Sequence, residues 1–475
     1  MSKLDHEMRK VFEGEIRENE LDEVIKTCQN NKSPGNDGME TIRLIDDIML
    51  YTKERHIPGL MLLIDFEKAF DTVDRTYLIN VLKLFGFGPS FIKWINIFFK
   101  ENLSLVCNNG FSSEYFKLQR GVKQGDHLSA YVFVLGAEIM VIAIRTFSNI
   151  KAIQIGKDEI KITQFADDTT VFINDEKSLD VLLKVLESFR KISGLKINIE
   201  KTEVLWLGSM RNCEHNPLGF KCKKYVKSLG IFFSYDKKLR ETLNFGGMST
   251  HISQIINLWK QRNLTILGKI TITKSLLLSK LVYRASMLQV PQEIISDIKK
   301  LIFKFLWNGP DKLRRKDTYK DYRVGGLRVT DIDSMLKASK LTWIGKLLSD
   351  DNKVWTAYLR EKLERFGGLR LFLRSNYDIK QYDRLSLSPF YREILSLWQT
   401  LKDKYKIDQE EILWNNKDIT IDGRPLYYET FDKIGIRYIS DLIPAKETLS
   451  KKNISYIGLA KDSQIIFLIY LNLKF

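Results

Sequence analysis

Residues 60–71 read LMLLIDFEKAFD, and residues 164–173 read QFADDTTVFI. The first stretch is a continuous apolar run, Leu60 to Ile64, that ends on a carboxylate at Asp65. A run so short and so uniformly apolar suits a strand covered on both faces. The second predicts a hairpin over residues 160–173, with Asp167 and Asp168 near its tip. A buried strand end is a poor place for an unpaired charge, because desolvation is costly. A divalent cation offsets that cost, and carboxylates that hold such ions are what phosphoryl transfer needs. Taken singly, these residues keep other roles open. Asp65 also suits a helix N-cap or a surface ion pair, and Asp167-Asp168 suits an ordinary turn.

Outward from these stretches the chain reads as alternating helices and turns. A helix is expected over residues 75–85, closed by Gly86 and Gly88-Pro89 and preceded by Asp71 and Asp74 in N-capping positions. An amphipathic helix follows over about residues 90–100. Upstream, a helix over residues 41–54 is broken by Pro58-Gly59, and Ser33 to Gly38 is a turn cluster. Residues 1–30 are charged, with Val11, Ile16, Leu21, Val24 and Ile25 as an apolar stripe. Downstream, residues 131–144 are apolar but interrupted by Glu138, which predicts a buried helix and no membrane span. Residues 179–193 form a further helix, with Gly194 as its cap.

Beyond Gly230 the pattern becomes helical. Ile252, Ile255, Ile256 and Trp259 follow helix spacing, and helices are expected over residues 270–288 and 298–307. Lys312, Arg314, Arg315, Lys316, Lys320 and Arg323 form a basic run suited either to a template backbone or to a solvated face.

The net charge of +16 favours polyanionic partners. The four cysteines include no CxxC pair, and Cys222 follows Cys213 and His215 too late for a zinc knuckle, so free thiols are expected. The N-terminus MSKLDHEMRKVFEGE has no apolar core of a signal peptide. An intracellular protein is expected, nuclear or cytoplasmic and not secreted.

Five stretches now stand in order: LLIDFEKAFDTVDRTYLINVLKLFGF, RGVKQGDHLSAYVF, QFADDTTVFI, SGLKINIEKTEVLWLG and VKSLGIFF. Together they resemble the reverse transcriptases of non-LTR (LINE-type) retrotransposons. GKITITKSLLLSKLVY, FLWNG and GGLRVTD are similar to that family's thumb and C-terminal segment. The resemblance implies an α+β fold. A right-hand polymerase palm, an antiparallel sheet with packed helices, is followed by a helical thumb and a mainly helical C-terminal region. The implied divisions are residues 1–40 (N-terminal helix and fingers remnant), 41–235 (palm), 236–310 (thumb) and 311–475 (basic C-terminal region).

The resemblance also implies site residues. Asp65, Asp167 and Asp168 match the metal-binding aspartates, and the Phe66 carbonyl completes the metal shell in such palms. Phe70 matches the aromatic gate against a ribose 2′-hydroxyl, with a core phenylalanine as the alternative. Gln124 and Gly125 match the segment that packs on nucleotide and template, Gly125 allowing close backbone approach. Lys201 matches a lysine that protonates the leaving pyrophosphate, or is a surface lysine. Leu229 and Gly230 match the primer-grip turn. Lys68 faces either nucleic-acid phosphate or Glu67 and Asp71. The implied cofactors are two Mg²⁺ ions, with Mn²⁺ as a substitute. The implied partners are an RNA template, a DNA primer or target, and deoxynucleotides.

The chain departs from the family in two places. Met39-Glu40 leads almost directly to the helix before the catalytic strand, so most of the fingers is expected to be missing. His127 and Ala130 stand where the family has prolines that stiffen the nucleotide-packing turn. No endonuclease, RNase H or zinc-knuckle pattern appears. The expected activity is an RNA-directed DNA polymerase, weakened or inactive. The competing functions are an inert nucleic-acid-binding remnant and an intron maturase.

Overall fold

The computed structural model describes residues 36–349, 353–405, 412–421, 424–438 and 441. The stripe expected over residues 1–30 and the turn residues Ser33, Pro34 and Gly35 lie outside them. The chain divides into two compact units, Met1–Arg240 and Glu241–Phe475.

In the first unit, helix α1 (Asn36–Arg55) leads into β1 (Gly59–Ile64). Asn36, Asp37 and Gly38 therefore open a helix, whereas their turn-forming composition suggested a loop. Helices α2 (Arg75–Phe85), α3 (Pro89–Phe99) and α4 (His127–Thr146) follow. The hairpin β2 (Ile162–Phe165) and β3 (Asp168–Ile173) comes next, then α5 (Glu176–Ser193), β4 (Glu203–Leu207) and β5 (Lys221–Cys222). A second hairpin joins β6 (Val226–Ser228) to β7 (Ile231–Phe233). The main sheet has the order β5-β4-β1-β3-β2. Its central strand β1 pairs antiparallel with both neighbours.

Strand alternation explains why this sheet holds. Leu60, Leu62 and Ile64 join Val171, Ile173, Val204 and Trp206 in a core that also takes residues from α2, α4 and α5. Met61, Phe172 and Leu205 are also buried, and α1 contacts β2 and β4. Strand β1 is thus covered on both sides, as its uniform composition requires.

Helix boundaries follow from capping. Asp74 accepts the Tyr77 N–H at 2.9 Å and Asp175 accepts the Ser178 N–H at 2.7 Å, starting α2 and α5. Gly86 and Gly194 end them in the left-handed conformation. Leu128–Thr146 is long and apolar enough to cross a membrane by length and composition alone, and is longer than the apolar stretch over residues 131–144. Its Val132, Phe133, Met140, Val141 and Ile144 nonetheless line the core of this unit.

Helix α1 carries a buried ion network. Arg43 binds Asp47 and Asp46, both at 2.7 Å, and Arg240 binds Asp46 at 2.7 Å. Burial works to raise the Asp46 carboxyl, but Arg240 and Arg43 prevail and hold it at about 2. Its stabilising effect is therefore present above the ordinary value of 3.8 and is lost as pH falls toward 2. Asp46→Asn is expected to cost about 2 kcal/mol at pH 7. That difference should shrink toward zero at pH 2, as read by urea denaturation at both pH values.

In the second unit, α6 (Met248–Lys260), α7 (Ile266–Ile272), α8 (Ser279–Met287) and α9 (Gln292–Trp307) come first. Then follow α10 (Ile332–Ser349) and α11 (Pro389–Tyr405). The single helix expected over residues 270–288 is two helices joined by a wider π turn, Thr273–Leu278. Ile252 and Ile256 are buried, whereas Ile255 and Trp259 are only half-buried. Lys269 lies buried at the end of α9, donating to Asn308 Oδ1 at 2.7 Å and toward the Leu306 carbonyl at 3.5 Å. One ammonium thus ties the GKITITK stretch to the FLWNG stretch.

Candidate active site

Strand register brings the acidic residues together. Ile64 pairs with Thr169 across β1 and β3, and one further step sets Asp65 against Asp168. Phe165 pairs with Asp168 across the hairpin, leaving Ala166 and Asp167 as its turn, with Ala166 at a positive φ of 55°. Partial burial raises the Asp168 carboxyl above its usual range, and the nearby Asp167 and Asp65 charges raise it further. Two like charges that raise a third mark one crowded electronegative spot.

The Asp65 backbone is pinned on both sides. Its carbonyl accepts the Asn198 N–H at 2.8 Å, and its N–H donates to Thr202 Oγ1 at 3.3 Å. Thr202 Oγ1 in turn donates to the Asn198 carbonyl at 2.8 Å. Lys201 lies on this same turn and is exposed. Phe66, buried, bridges to Ile197, so the strand extends past Asp65 as irregular pairing. Lys68 is exposed at a φ of 46°, and Glu67 pairs with Lys196 at 2.9 Å.

Phe70 is half-buried, its ring stacked on Phe133 with centroids 4.5 Å apart. Its carbonyl accepts the Val122 N–H at 2.7 Å, which joins the first acidic stretch to the Gln124 segment. Gly121 makes that approach possible, since a Cβ there would sit 2.7 Å from the Phe70 and Asp71 carbonyl oxygens. Arg75 clamps the same segment, donating to the carbonyls of Gly121 at 2.9 Å, Leu118 at 2.7 Å and Phe99 at 3.1 Å. Sequence reading missed Arg75, Gly121, Asn198 and Thr202. Their partners are mostly backbone atoms far along the chain, and composition carries no sign of those.

Gln124 is exposed. Gly125 has a φ of 87° with open space around its Cβ position, so the turn's conformation favours glycine there. Asp126 then caps α4, accepting the Ser129 hydroxyl at 2.6 Å. Leu229 and Gly230, at φ 47° and 79°, form the tight two-residue turn between β6 and β7.

Among the described residues, no group of three or more His, Cys, Asp or Glu converges as a preformed metal cage. The donor set nevertheless fits a hard divalent cation: three carboxylates from two adjoining strand ends, with charge in excess. His215 stacks on Trp206 and pairs with Glu176, while the Cys222 thiol, raised by burial and then by Cys213, points to the Cys213 carbonyl at 3.6 Å. In the basic run, Arg314 and Lys320 pair with Asp317, and Arg315 pairs with Asp311.

The family model for reverse transcriptase (RNA-dependent DNA polymerase) matches residues 18–268, more than half of the chain. The Xenopus laevis transposon TX1 uncharacterized 149 kDa protein is 26% identical over 389 residues, covering 80% of this chain and 30% of its own length. The Pol polyprotein of the Drosophila melanogaster type-2 retrotransposable element R2DM is 30% identical over 166 residues, 35% of this chain and 15% of its own. Among solved structures, telomerase from Candida albicans in complex with a telomeric RNA fragment aligns with 76% of this chain and 55% of its own, at 14% identity and a TM-score of 0.37. The chain spans less than a third of the length of these curated relatives. It belongs to the reverse transcriptase (RNA-dependent DNA polymerase) family, on the non-LTR retrotransposon side.

Proposed function

We propose that this chain extends a DNA primer on an RNA template, using deoxynucleotides and two Mg²⁺ ions, for which Mn²⁺ substitutes. The observation that carries the reading is the β1–β3 register, which pairs Ile64 with Thr169 and so brings Asp65 close to Asp168, with Asp167 on the adjoining turn. Asp65, Asp167 and Asp168 would hold the ions, with the Phe66 carbonyl as a further oxygen. Bound there, the ions lower the barrier by neutralising charge on the attacking and leaving oxygens. The primer 3′-hydroxyl gives its proton to solvent and attacks the α-phosphorus, the bond to the bridging oxygen breaks, and pyrophosphate leaves. Lys201, on the turn hydrogen-bonded to the Asp65 backbone, delivers a proton to that leaving group. Gln124 and Gly125 pack on the base pair, and Leu229-Gly230 steer the primer end.

Phe70 acts as the sugar gate. Its ring is braced from behind by Phe133, so it cannot retreat from an added oxygen. Phe70→Ala is expected to reduce discrimination against ribonucleotides by about 10- to 100-fold. Single-nucleotide incorporation with matched deoxy- and ribonucleotides reads that ratio.

The shortened fingers favour a weak enzyme, since positioning of the triphosphate is much of what such catalysts supply. An extension assay on an RNA template of defined sequence tests the reading. Omitting one deoxynucleotide should halt the primer just before its complement. No extension in Mg²⁺ or Mn²⁺, with RNA binding retained, would favour the inert binding remnant instead.

A further inference from the structure

A β-ribbon, residues 102–118, projects between α3 and α4. It is held by the pairs Leu103–Lys117 and Ser104–Phe116 near its base and Cys107–Ser112 and Asn108–Phe111 near its tip. Residues 106–117 are exposed without exception. An isolated two-stranded ribbon is marginal in water, because it has no core of its own. This one still carries large apolar side chains in solvent: Phe111 is 80% exposed, Tyr115 69% and Phe116 46%. Helix α3 presents Trp94 and Phe98 in the same way. The two elements are joined at their roots, since Arg75 binds the carbonyls of both Phe99 and Leu118, and Asn102 Nδ2 donates to the Phe98 carbonyl. Exposed apolar groups gathered on neighbouring elements mark an interaction surface.

Charge indicates what covers it. Lys83, Lys93, Lys100 and Lys117 are all exposed, and none has an ion-pair partner among the described residues. In the basic run at residues 311–328, Arg314, Arg315, Lys320 and Arg328 are matched by Asp311, Asp317 and Asp321, which leaves Lys312, Lys316 and Arg323 without an ion-pair partner among the described residues. Beside α3 a cleft of about 500 Å³ is lined by Lys83, Phe87, Pro89, Ile92, Lys93 and Asn96. Phe87 is stacked on Phe91 there, with centroids 4.8 Å apart. Unpaired lysines interleaved with exposed rings are the chemistry of single-stranded polynucleotide binding, in which bases stack on aromatics and phosphates meet ammonium groups.

We propose that α3 and the 102–118 ribbon form a binding platform for a single-stranded polynucleotide, separate from the acidic site. It reads base faces and phosphates, which RNA and DNA share. The test needs no nucleotide and no catalysis, so it stands or falls apart from the polymerase reading. Anisotropy of 5′-fluorescein-labelled U15 and dT15 is measured with the full chain. Phe111→Ala/Tyr115→Ala should weaken binding of at least one oligonucleotide about tenfold or more. These side chains are exposed, so the thermal midpoint should stay at the wild-type value. Lys93→Ala/Lys117→Ala should flatten the slope of log affinity against log salt by about 1.4, or ~0.7 per lysine. Unchanged affinity in the first variant together with an unchanged slope in the second would overturn the platform. So would unchanged affinity accompanied by a loss of self-association in light scattering, which would make the surface a contact between copies.

Discussion

Asp168→Asn is expected to lower the rate of nucleotide incorporation by at least about 10²- to 10³-fold, and to raise the melting temperature at pH 7. The two effects have one cause. Burial and the neighbouring Asp167 and Asp65 charges raise the Asp168 carboxyl, so its ionised form is disfavoured in the fold. A raised acid favours folding below its unfolded value of 3.8, and that advantage is lost as pH rises through the folded value. At pH 7 the native state therefore carries a charge penalty that the amide removes. The gain in melting temperature should vanish below pH 3.8, where both side chains are neutral. Mg²⁺ held by these carboxylates would relieve the same repulsion, so it should raise the melting temperature of the wild type more than that of the variant. A variant that loses stability at pH 7 would show that the crowding is not there.

Gly208→Ala carries the largest expected effect on the fold. Gly208 follows β4 at a φ of 56°, where a Cβ would lie 1.8 Å from the Ile57 carbonyl oxygen and 2.8 Å from that of Thr52. Both obstacles are backbone, one in the last turn of α1 and the other in the turn that carries it into β1. Tyr235 closes the space from the other side, its hydroxyl accepting the Gly208 N–H at 3.2 Å and donating to the Met49 carbonyl at 3.3 Å. The left-handed conformation costs an alanine about 1–2 kcal/mol, and overpacking adds about 1–3 kcal/mol. The total loss should reach about 2–5 kcal/mol in urea denaturation. Gly219→Ala is the control. Its φ of 85° imposes the conformational cost, but nothing lies within 4 Å of the added carbon. It should lose only about 1–2 kcal/mol. Because Asp65 directly follows β1, Gly208→Ala should also impair catalysis in the folded fraction.

What was legible in the sequence was local. Asp74 and Gly86 bracket α2 and Gly194 closes α5, because caps act within a few residues of the helix they end, whereas the Asp175 cap that starts α5 ahead of residue 179 was not singled out. The uniform run from Leu60 to Ile64 announced a doubly covered strand for the same kind of reason. The π turn at Thr273–Leu278 was not legible, since one wider turn barely disturbs apolar spacing. Nor was the length of α4, because Glu138 is half-buried and interrupts composition without interrupting the helix.

The acidic site divides in the same way. Asp65, Asp167 and Asp168 stood out by type and order, yet their meeting depends on the β1–β3 register, a tertiary fact. Arg75 and Gly121 act on backbone carbonyls, so a basic side chain and a small residue looked ordinary.

The central claim is that three carboxylates at adjoining strand ends drive templated nucleotidyl transfer. Single-turnover incorporation of one deoxynucleotide, on an RNA template with an annealed DNA primer, tests it most directly. Wild type is compared with Asp65→Asn in Mg²⁺ and again in Mn²⁺. The wild type should incorporate in at least one metal, and Asp65→Asn should lose about 10²-fold or more with primer–template binding unchanged. Equal rates in the two proteins would contradict the claim.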